Sequence, residues 1–319
     1  MKLSIAVPWY KSRESVQALY DRTLIVFDSM SDFDQIEFVF VEDGGNDGTW
    51  EELIKLAHKD SRVKVARFSR NFGQHHALTA CLDLSEGDWV VVMDCDMQDR
   101  PEEIPRLYAK TKEGFDMVCA RRGKRQDRFW KRLSSRFFMA TFNWLSGMNY
   151  DGEVGNFRIL SHKMVQAYRR MGESTRNIPG QLHWLGFKTG FIDVVHGARY
   201  SGKSSYTLPK LIGLALDSII AYSNKPLRLS IRVGVGLMVF SLCMAAWIFA
   251  RKIFWGIPIS GWASLMVSVW FIGGIIIGNL GIIGMYLGRI YDEVKGRPVY
   301  IIDESINISL QDSSNRRHM

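Results

Sequence analysis

Two aspartates separated by one residue, Asp94 and Asp96, are the residues in this sequence best suited to hold a divalent cation. They follow the apolar run Trp89 to Met93, which has the composition of a buried strand. Residues i and i+2 of an extended chain point to the same side, so both carboxylates can offer hard oxygen ligands to one Mg²⁺ or Mn²⁺. A cation held there would bridge a diphosphate and stabilise it as a leaving group.

A second acidic pair with the same spacing, Asp32 and Asp34, precedes an apolar run instead of following one. Ligands of open parallel sheets bind beyond the carboxyl ends of the strands, so we interpret this pair as part of a loop. For Asp94 and Asp96 the alternative is a solvated acidic turn, which the spacing by itself leaves open.

The elements that would position these residues alternate between short apolar runs and helical segments. This alternation predicts an α/β fold with a mainly parallel, doubly wound sheet. Thr49 and Glu52 have the spacing of a capping box at the start of a helix. No GxGxxG or Walker A pattern is present, so neither a dinucleotide-binding fold nor a P-loop is supported. The predicted strands are Leu3–Val7, Ile36–Val41, Val63–Phe68, Trp89–Met93 and Met117–Ala120, and the predicted helices are Glu14–Ser29, Trp50–His58, His75–Leu84 and Glu102–Lys112.

The charge balance points to an anionic partner. The chain has 41 Lys and Arg against 33 Asp and Glu, a formal net charge of +8. The basic residues cluster beside the apolar C-terminal segments without a nucleic-acid-binding motif, so we expect lipid and phosphorylated substrates and no nucleic acid.

The four cysteines are scattered, which excludes a disulfide framework and a Cys-rich zinc module. We also expect no secretory signal, because the first apolar run is too short.

The C-terminal third contains a predicted transmembrane hairpin. No charged residue occurs from Val233 to Ala250 or from Ile253 to Gly288, and each stretch can cross a hydrocarbon layer of about 30 Å as a helix. A pair of buried helices in a soluble core is the alternative. Six basic residues flank the outer ends and two lie in the loop, which favours a cytoplasmic N-terminal domain. The flanking residues are Lys225, Arg228, Arg232, Arg289, Lys295 and Arg297, and those in the loop are Arg251 and Lys252.

Smaller features of this region leave two questions open. Gly274-x-x-x-Gly278 and Gly284-x-x-x-Gly288 allow close helix contact, either within a homo-oligomer or against the first helix of the same chain. The apolar segment before the hairpin is either a helix in the membrane interface or a docked core helix. We therefore expect a catalytic domain at 1–207, an amphipathic juxtamembrane helix at 208–228, the hairpin at 229–288 and a cytoplasmic tail at 289–319.

Taken together, the motifs resemble those of the family 2 glycosyltransferases of GT-A fold, specifically the polyisoprenyl-phosphate glycosyltransferases. That group includes bactoprenol glucosyltransferases and dolichol-phosphate mannose synthases. The resemblance extends to about Ile302 and is specific only when the motifs are taken jointly. They are Val7-Pro8-Trp9-Tyr10, Glu42-Asp43-Gly44-Gly45, Arg70-Asn71-Phe72-Gly73-Gln74, Met93-Asp94-Cys95-Asp96-Met97-Gln98, Pro101-Glu102-Glu103-Ile104-Pro105, Arg122-x-x-Arg125-x-Asp127, Gly155-Asn156-Phe157-Arg158, Arg199-x-x-Gly202-x-Ser204-Ser205-Tyr206 and Pro226-Leu227-Arg228.

What the resemblance implies is transfer of a sugar from a nucleotide diphosphate to a polyprenyl phosphate at the cytoplasmic membrane face. By analogy, Asp94 and Asp96 would hold the metal and diphosphate, with Gln98 near the sugar. The other implied contacts are Pro8, Tyr10, Asp43, Asn71, Arg122 and Arg125 for the nucleotide sugar, and Arg158, Arg199 and Lys203 for the lipid phosphate.

The sequence also departs from the family pattern. Where relatives have Tyr-Asn-Glu after the first strand, this chain has Tyr10-Lys11-Ser12, and where they have Gly-Asp-Phe-Arg, it has Asn156 in place of the aspartate. Relatives often carry an acidic residue two positions before that glycine. Here it is Glu153, which we expect to act as general base or to orient the acceptor.

The predicted activity is inverting, metal-dependent transfer of one hexose, with glucose from UDP-glucose favoured, onto undecaprenyl phosphate at a bacterial inner membrane. The alternatives are another donor (GDP-mannose, a UDP-N-acetylhexosamine or an aminopentose) and a non-catalytic scaffold or flippase for lipid-linked sugars. The paired aspartates and the arginines that follow the fifth strand favour the enzyme, because a flippase has no need of them.

Overall fold

The computed structural model describes residues 1–122, 141, 143–145, 154–194, 220, 223–255 and 261–308. The chain divides into two compact units. The first comprises Met1–Leu133, Tyr150–Ser205 and Arg297–Met319, and the second comprises Ser134–Asn149 and Tyr206–Gly296. The predicted juxtamembrane helix lies largely outside the described residues.

The first unit is built on an eight-stranded sheet, in the order β7-β5-β6-β4-β1-β2-β3-β8. Strands β1–β2, β1–β4, β2–β3 and β5–β7 pair in parallel, whereas β6 is antiparallel to β4 and β5, and β8 is antiparallel to β3. The predicted α/β fold with a mostly parallel sheet is confirmed. The strands are β1 (Lys2–Trp9), β2 (Gln35–Glu42), β3 (Val63–Phe68), β4 (Trp89–Val92), β5 (Met117–Arg122), β6 (Val154–Ser161), β7 (Thr189–Val194) and β8 (Ile302–Ile306).

Helices cover both faces of this sheet, and two of them begin later than predicted because a 3-10 turn precedes them. The capping-box interpretation is wrong: the residue before the second helix is Gly48, and the hydroxyl of Thr49 donates to Asp47 at 2.8 Å instead of capping. The helices of this unit are α1 (Val16–Asp28), α2 (Thr49–Lys59), α3 (Gln74–Leu84), α4 (Ile104–Thr111), α5 (His162–Arg169) and α6 (Ile178–Trp184), with 3-10 turns at Arg13–Ser15 and Pro101–Glu103.

Strand β1 lies at the centre of the sheet, and residues Leu3 to Trp9 are buried. Its apolar side chains pack into two clusters, one on each face, as expected for a strand covered by helices on both sides. Strands β2 and β3 extend from one edge of β1 and β4 from the other, so the strand order reverses between β1 and β4. Ligands of open α/β sheets bind beyond the carboxyl ends of the strands at such a reversal.

The chain returns to the sheet after the apolar helices, which the sequence analysis did not anticipate. Strand β8 pairs with β3, and the aromatic ring of Tyr300 stacks on Phe68 with ring centres 5.1 Å apart. The amide of Asn307 donates to the carbonyls of Ala57 and Val63 at 2.9 Å. Part of the segment expected to be a tail is therefore an edge strand of the first unit.

The second unit contains two long helices, α7 (Lys225–Trp255) and α8 (Trp262–Val294). Their apolar stretches, Lys225–Ala250 and Ser264–Val294, have mean hydropathies of 2.2 and 2.1, and 0% of either window is buried. Helices of a soluble core would be buried, so that alternative is wrong for the described residues, and association with a membrane fits instead.

The glycines of α8 do not mediate a close contact with α7 in the described part of this unit. A Cβ atom added at Gly274, Gly278, Gly284 or Gly288 would meet no atom of another described segment within 4 Å. Tight glycine packing against α7 is therefore not observed among the described residues, and the oligomeric alternative stays a prediction.

Candidate active site

The two aspartates lie in a turn that follows β4. The strand ends at Val92, one residue earlier than expected, so the alternation of an extended chain does not orient Asp94 and Asp96. The turn is instead held by carboxylates: Asp99, which is buried, accepts the amide N–H of Asp94 at 2.9 Å, and Asp96 accepts that of Gln98 at 3.1 Å. Asp94 and Asp96 are both partly exposed, and solvent reaches this turn.

Two side-chain amides converge on one oxygen of Asp94. Gln74, the first residue of α3, donates to Asp94 Oδ1 at 2.8 Å, and Asn156 of β6 donates to the same atom at 3.2 Å. Neither residue was predicted from the sequence to have a role at the site. The available signal was that both lie in motifs of the resemblance, and Asn156 differs there from the usual aspartate.

The loop after β1 packs on the same turn. The Ser15 hydroxyl donates to the carbonyl of Cys95 at 2.7 Å, and the Cys95 thiol donates to the Ser12 hydroxyl at 3.3 Å. Burial raises the pKa of Cys95 to about 11, which keeps the thiol protonated and a poor nucleophile. Ser12 therefore contacts the turn that carries Asp94 and Asp96.

Asp43, at the end of β2, connects three loops. Its backbone N–H donates to Trp9 at 2.9 Å, and its carboxylate accepts the N–H groups of Phe72 at 2.7 Å and Gly73 at 2.9 Å. Burial raises the pKa of Asp43 despite these bonds. The carboxylate holds the start of α3 in place, and its expected contact with a nucleotide base stays a prediction.

The other residues expected to contact the nucleotide lie beside Asp43. Tyr10 is 44% exposed beyond the end of β1, whereas Pro8 is buried within that strand. Asn71 is exposed and donates its side-chain amide to the Asp43 carbonyl at 3.1 Å. Arg70 lies over the ring of Phe72 at 4.2 Å. An exposed aromatic ring and a guanidinium therefore flank the carboxyl ends of β1 and β2.

Arg158 is buried, unlike a surface residue that binds a phosphate. It is 3% exposed, and its guanidinium donates to the carbonyls of Asn156 at 3.0 Å and Gly155 at 2.7 Å. It therefore supports the strand segment that carries Asn156. The contact of Arg158 with a lipid phosphate stays a prediction. Arg122 ends β5, and Arg125, Glu153, Arg199 and Lys203 lie outside the described residues.

Two histidines, His75 and His76, follow Gln74 in the first turn of α3. The ring Nδ1 atoms of His75 and His76 are buried and have no hydrogen-bond partner among the described residues. Burial, with His76 and the cationic Arg158 nearby, lowers the pKa of His75 to about 4. Burial likewise lowers the pKa of His76. Both rings are therefore neutral near pH 7.

Asp94 and Asp96 at this turn fit a divalent cation whose remaining ligands are water and substrate phosphates. Asp94 and Asp96 supply hard carboxylate oxygens, the ligand type that Mg²⁺ and Mn²⁺ prefer. No group of three or more His, Cys, Asp or Glu residues able to hold a metal occurs within the described ranges. Mg²⁺ sites of this kind usually combine one or two carboxylates with water and substrate phosphates, and these residues fit that arrangement.

Comparisons with known proteins identify the family and the fold of this chain. Residues 4–170 match the family model described as glycosyl transferase family 2. A prophage-derived bactoprenol glucosyl transferase of Shigella flexneri is 36% identical over 96% of this chain and 98% of its own length. An uncharacterized glycosyltransferase of Synechocystis is 34% identical over 95% of both chains. The fold is similar to mannosyl-3-phosphoglycerate synthase from Rubrobacter xylanophilus, with a TM-score of 0.50, 13% identity, and coverage of 73% of this chain and 75% of that one.

Proposed function

This chain belongs to glycosyl transferase family 2, and we propose that it transfers one glucose unit from UDP-glucose to undecaprenyl phosphate. That the chain is a glycosyltransferase excludes the scaffold and flippase alternatives. The observation that carries the finer proposal is the near full-length similarity to bactoprenol glucosyl transferases. The proposal includes a bacterial inner membrane location with the catalytic unit on the cytoplasmic side, supported by the two apolar helices.

The proposed reaction is a single displacement. A phosphate oxygen of the lipid attacks the anomeric carbon as its bond to the UDP oxygen breaks, which inverts the configuration and yields a β-linked lipid-phosphate sugar and UDP. When bound by Asp94 and Asp96, Mg²⁺ or Mn²⁺ would neutralise charge on the departing diphosphate. A phosphate monoester is ionised near pH 7, so Glu153 would orient the acceptor or accept a proton without having to generate a strong nucleophile.

The remaining roles follow from charge and position. Arg122 and Arg125 would bind the diphosphate, because guanidinium groups pair with phosphate through two parallel hydrogen bonds. Arg199 and Lys203 would contact the lipid phosphate. Tyr10, Asn71 and Gln98 would contact the nucleotide sugar.

A donor screen tests this proposal. The full-length protein in detergent, with undecaprenyl phosphate and Mg²⁺, is given UDP-glucose, GDP-mannose, UDP-N-acetylglucosamine or a UDP-aminopentose in separate reactions, and the lipids are analysed by mass spectrometry. We expect a hexosyl lipid phosphate from UDP-glucose. A lipid product formed only from another donor would contradict the glucose assignment, and activity that persists in EDTA would contradict metal dependence.

A further inference from the structure

The carboxylate of Asp94 accepts hydrogen bonds from two neutral donors, one on α3 and one on β6. Gln74 reaches Oδ1 from the first turn of α3 at 2.8 Å, and Asn156 reaches the same oxygen from β6 at 3.2 Å. Two donors that meet at one oxygen restrict rotation of the carboxylate plane. Side chains fixed in this way need little reordering when a ligand binds.

Each donor is itself anchored. Gln74 directly follows Gly73, whose N–H donates to the buried carboxylate of Asp43 at 2.9 Å, so the start of α3 is fixed to the end of β2. Asn156 is anchored through its own carbonyl, which accepts the buried guanidinium of Arg158 at 3.0 Å. The hydrogen bonds that orient Asp94 therefore depend on backbone that is restrained at both positions.

The chemistry of the donors matters as much as their position. An amide nitrogen can donate to an ionised carboxylate, whereas a carboxylate at the same distance would repel it. The family pattern described above has aspartate where this chain has Asn156. The amide at this position provides a hydrogen-bond donor in place of a second negative charge, and it makes the Asp94 carboxylate a preset ligand.

We propose that Gln74 and Asn156 are positioning residues that orient the Asp94 carboxylate for the divalent cation of the nucleotide-sugar complex. This inference rests on the proposed metal-dependent function. Partners that orient the ligands of a metal commonly contribute about 10- to 100-fold to its affinity, so each amide is expected to affect metal binding without contacting the metal.

Binding measurements without turnover test the inference. The full-length protein in detergent is titrated with Mn²⁺ in the presence of UDP, and free Mn²⁺ is followed by electron paramagnetic resonance. Gln74→Leu and Asn156→Leu keep the approximate side-chain volume and remove the donor. Each is expected to weaken Mn²⁺ binding about tenfold, with UDP binding in EDTA and the thermal midpoint unchanged. Gln17→Ala, which removes an exposed amide bonded to Asp21, is the matched control.

The outcomes separate this inference from the proposed function. If the wild-type protein binds no Mn²⁺ with UDP, the metal-dependent function fails and the inference fails with it. If the wild type binds Mn²⁺ and Asp96→Ala does not, but Gln74→Leu binds like the wild type, the inference alone is overturned. Loss of UDP binding in EDTA would indicate general damage to the site and would also overturn it. Gln74 is exposed, so its replacement provides the test even if Asn156→Leu does not fold.

Discussion

The hydroxyl of Tyr300 donates to the carboxylate of Asp83 at 2.8 Å, which joins the segment after α8 to the last turn of α3. Helix α3 begins at the candidate active site with Gln74, so the same helix contacts the turn of Asp94 at one end and the returning chain at the other. In chain order, the two apolar helices therefore lie between segments of the first unit.

Removing this link should lower the stability of the catalytic unit. Tyr300→Phe loses the hydrogen bond and should reduce the free energy of unfolding by about 1 kcal/mol. Tyr300→Ala also loses the stacking on Phe68 and should cost about 2 kcal/mol or more. The thermal midpoint of the detergent-purified protein measures both effects. Tyr291→Phe, on a side chain that is 62% exposed, serves as the control. Equal midpoints for Tyr300→Ala and the wild type would show that the returning segment does not stabilise the unit.

Replacing Asp96 should abolish sugar transfer while the fold is retained. Asp96→Ala removes one of the two hard oxygen ligands, and we expect at least about a hundredfold loss of turnover, since the charge on the leaving diphosphate is no longer neutralised. The second acidic pair of the sequence provides a matched control. Asp32 lies before the start of β2, and Asp32→Ala removes only an exposed salt bridge to Lys112, so it should leave turnover unchanged. Substantial activity in Asp96→Ala would contradict the metal assignment.

A methyl group at Gly44 should disrupt the nucleotide end of the site. Gly44 has φ +65°, and a Cβ there would lie 2.4 Å from the backbone carbon of Arg70 and 2.5 Å from the nitrogen of Asn71. Gly44→Ala must therefore move the β3–α3 loop away from Asp43. We expect a loss of about 2–4 kcal/mol in stability and weaker binding of UDP in EDTA by isothermal titration. Gly172→Ala, where a Cβ meets nothing within 4 Å, should leave both unchanged, and similar results for the two variants would contradict this prediction.

His75 should make the catalytic unit less stable in mild acid. Burial lowers its pKa in the folded protein to about 4, below the usual histidine pKa of 6.5, so the unfolded chain binds the proton more readily. The contribution of neutral His75 to the free energy of unfolding is complete above pH 6.5. It falls as the pH decreases towards 4, by up to about 3 kcal/mol. Thermal midpoints measured from pH 7 to 4.5 should fall more steeply for the wild type than for His75→Gln. Parallel slopes would show that His75 does not carry this dependence.

Local sequence patterns identified most of the first unit correctly. The apolar runs of β1 to β5 predicted strands because each has to be covered on both faces, and the helices between them were placed within a few residues. Strands β6, β7 and β8 were not predicted. Their pairing depends on partners distant in sequence, as when Arg158 aligns with Val92, and no local period records such a contact.

The candidate site likewise combines features that the sequence predicted with features that it did not. Residue types and their place after β4 were enough to nominate Asp94 and Asp96, because paired carboxylates beyond a strand's carboxyl end suit a divalent cation, and the binding of that cation stays a prediction. Their orientation was a different matter: the turn is shaped by Asp99 and the Asp94 carboxylate is held by Gln74 and Asn156. By itself the sequence therefore determined which chemical groups are present. Tertiary structure alone decided which of them meet, because hydrogen bonds between distant segments form only once the sheet has brought those segments together.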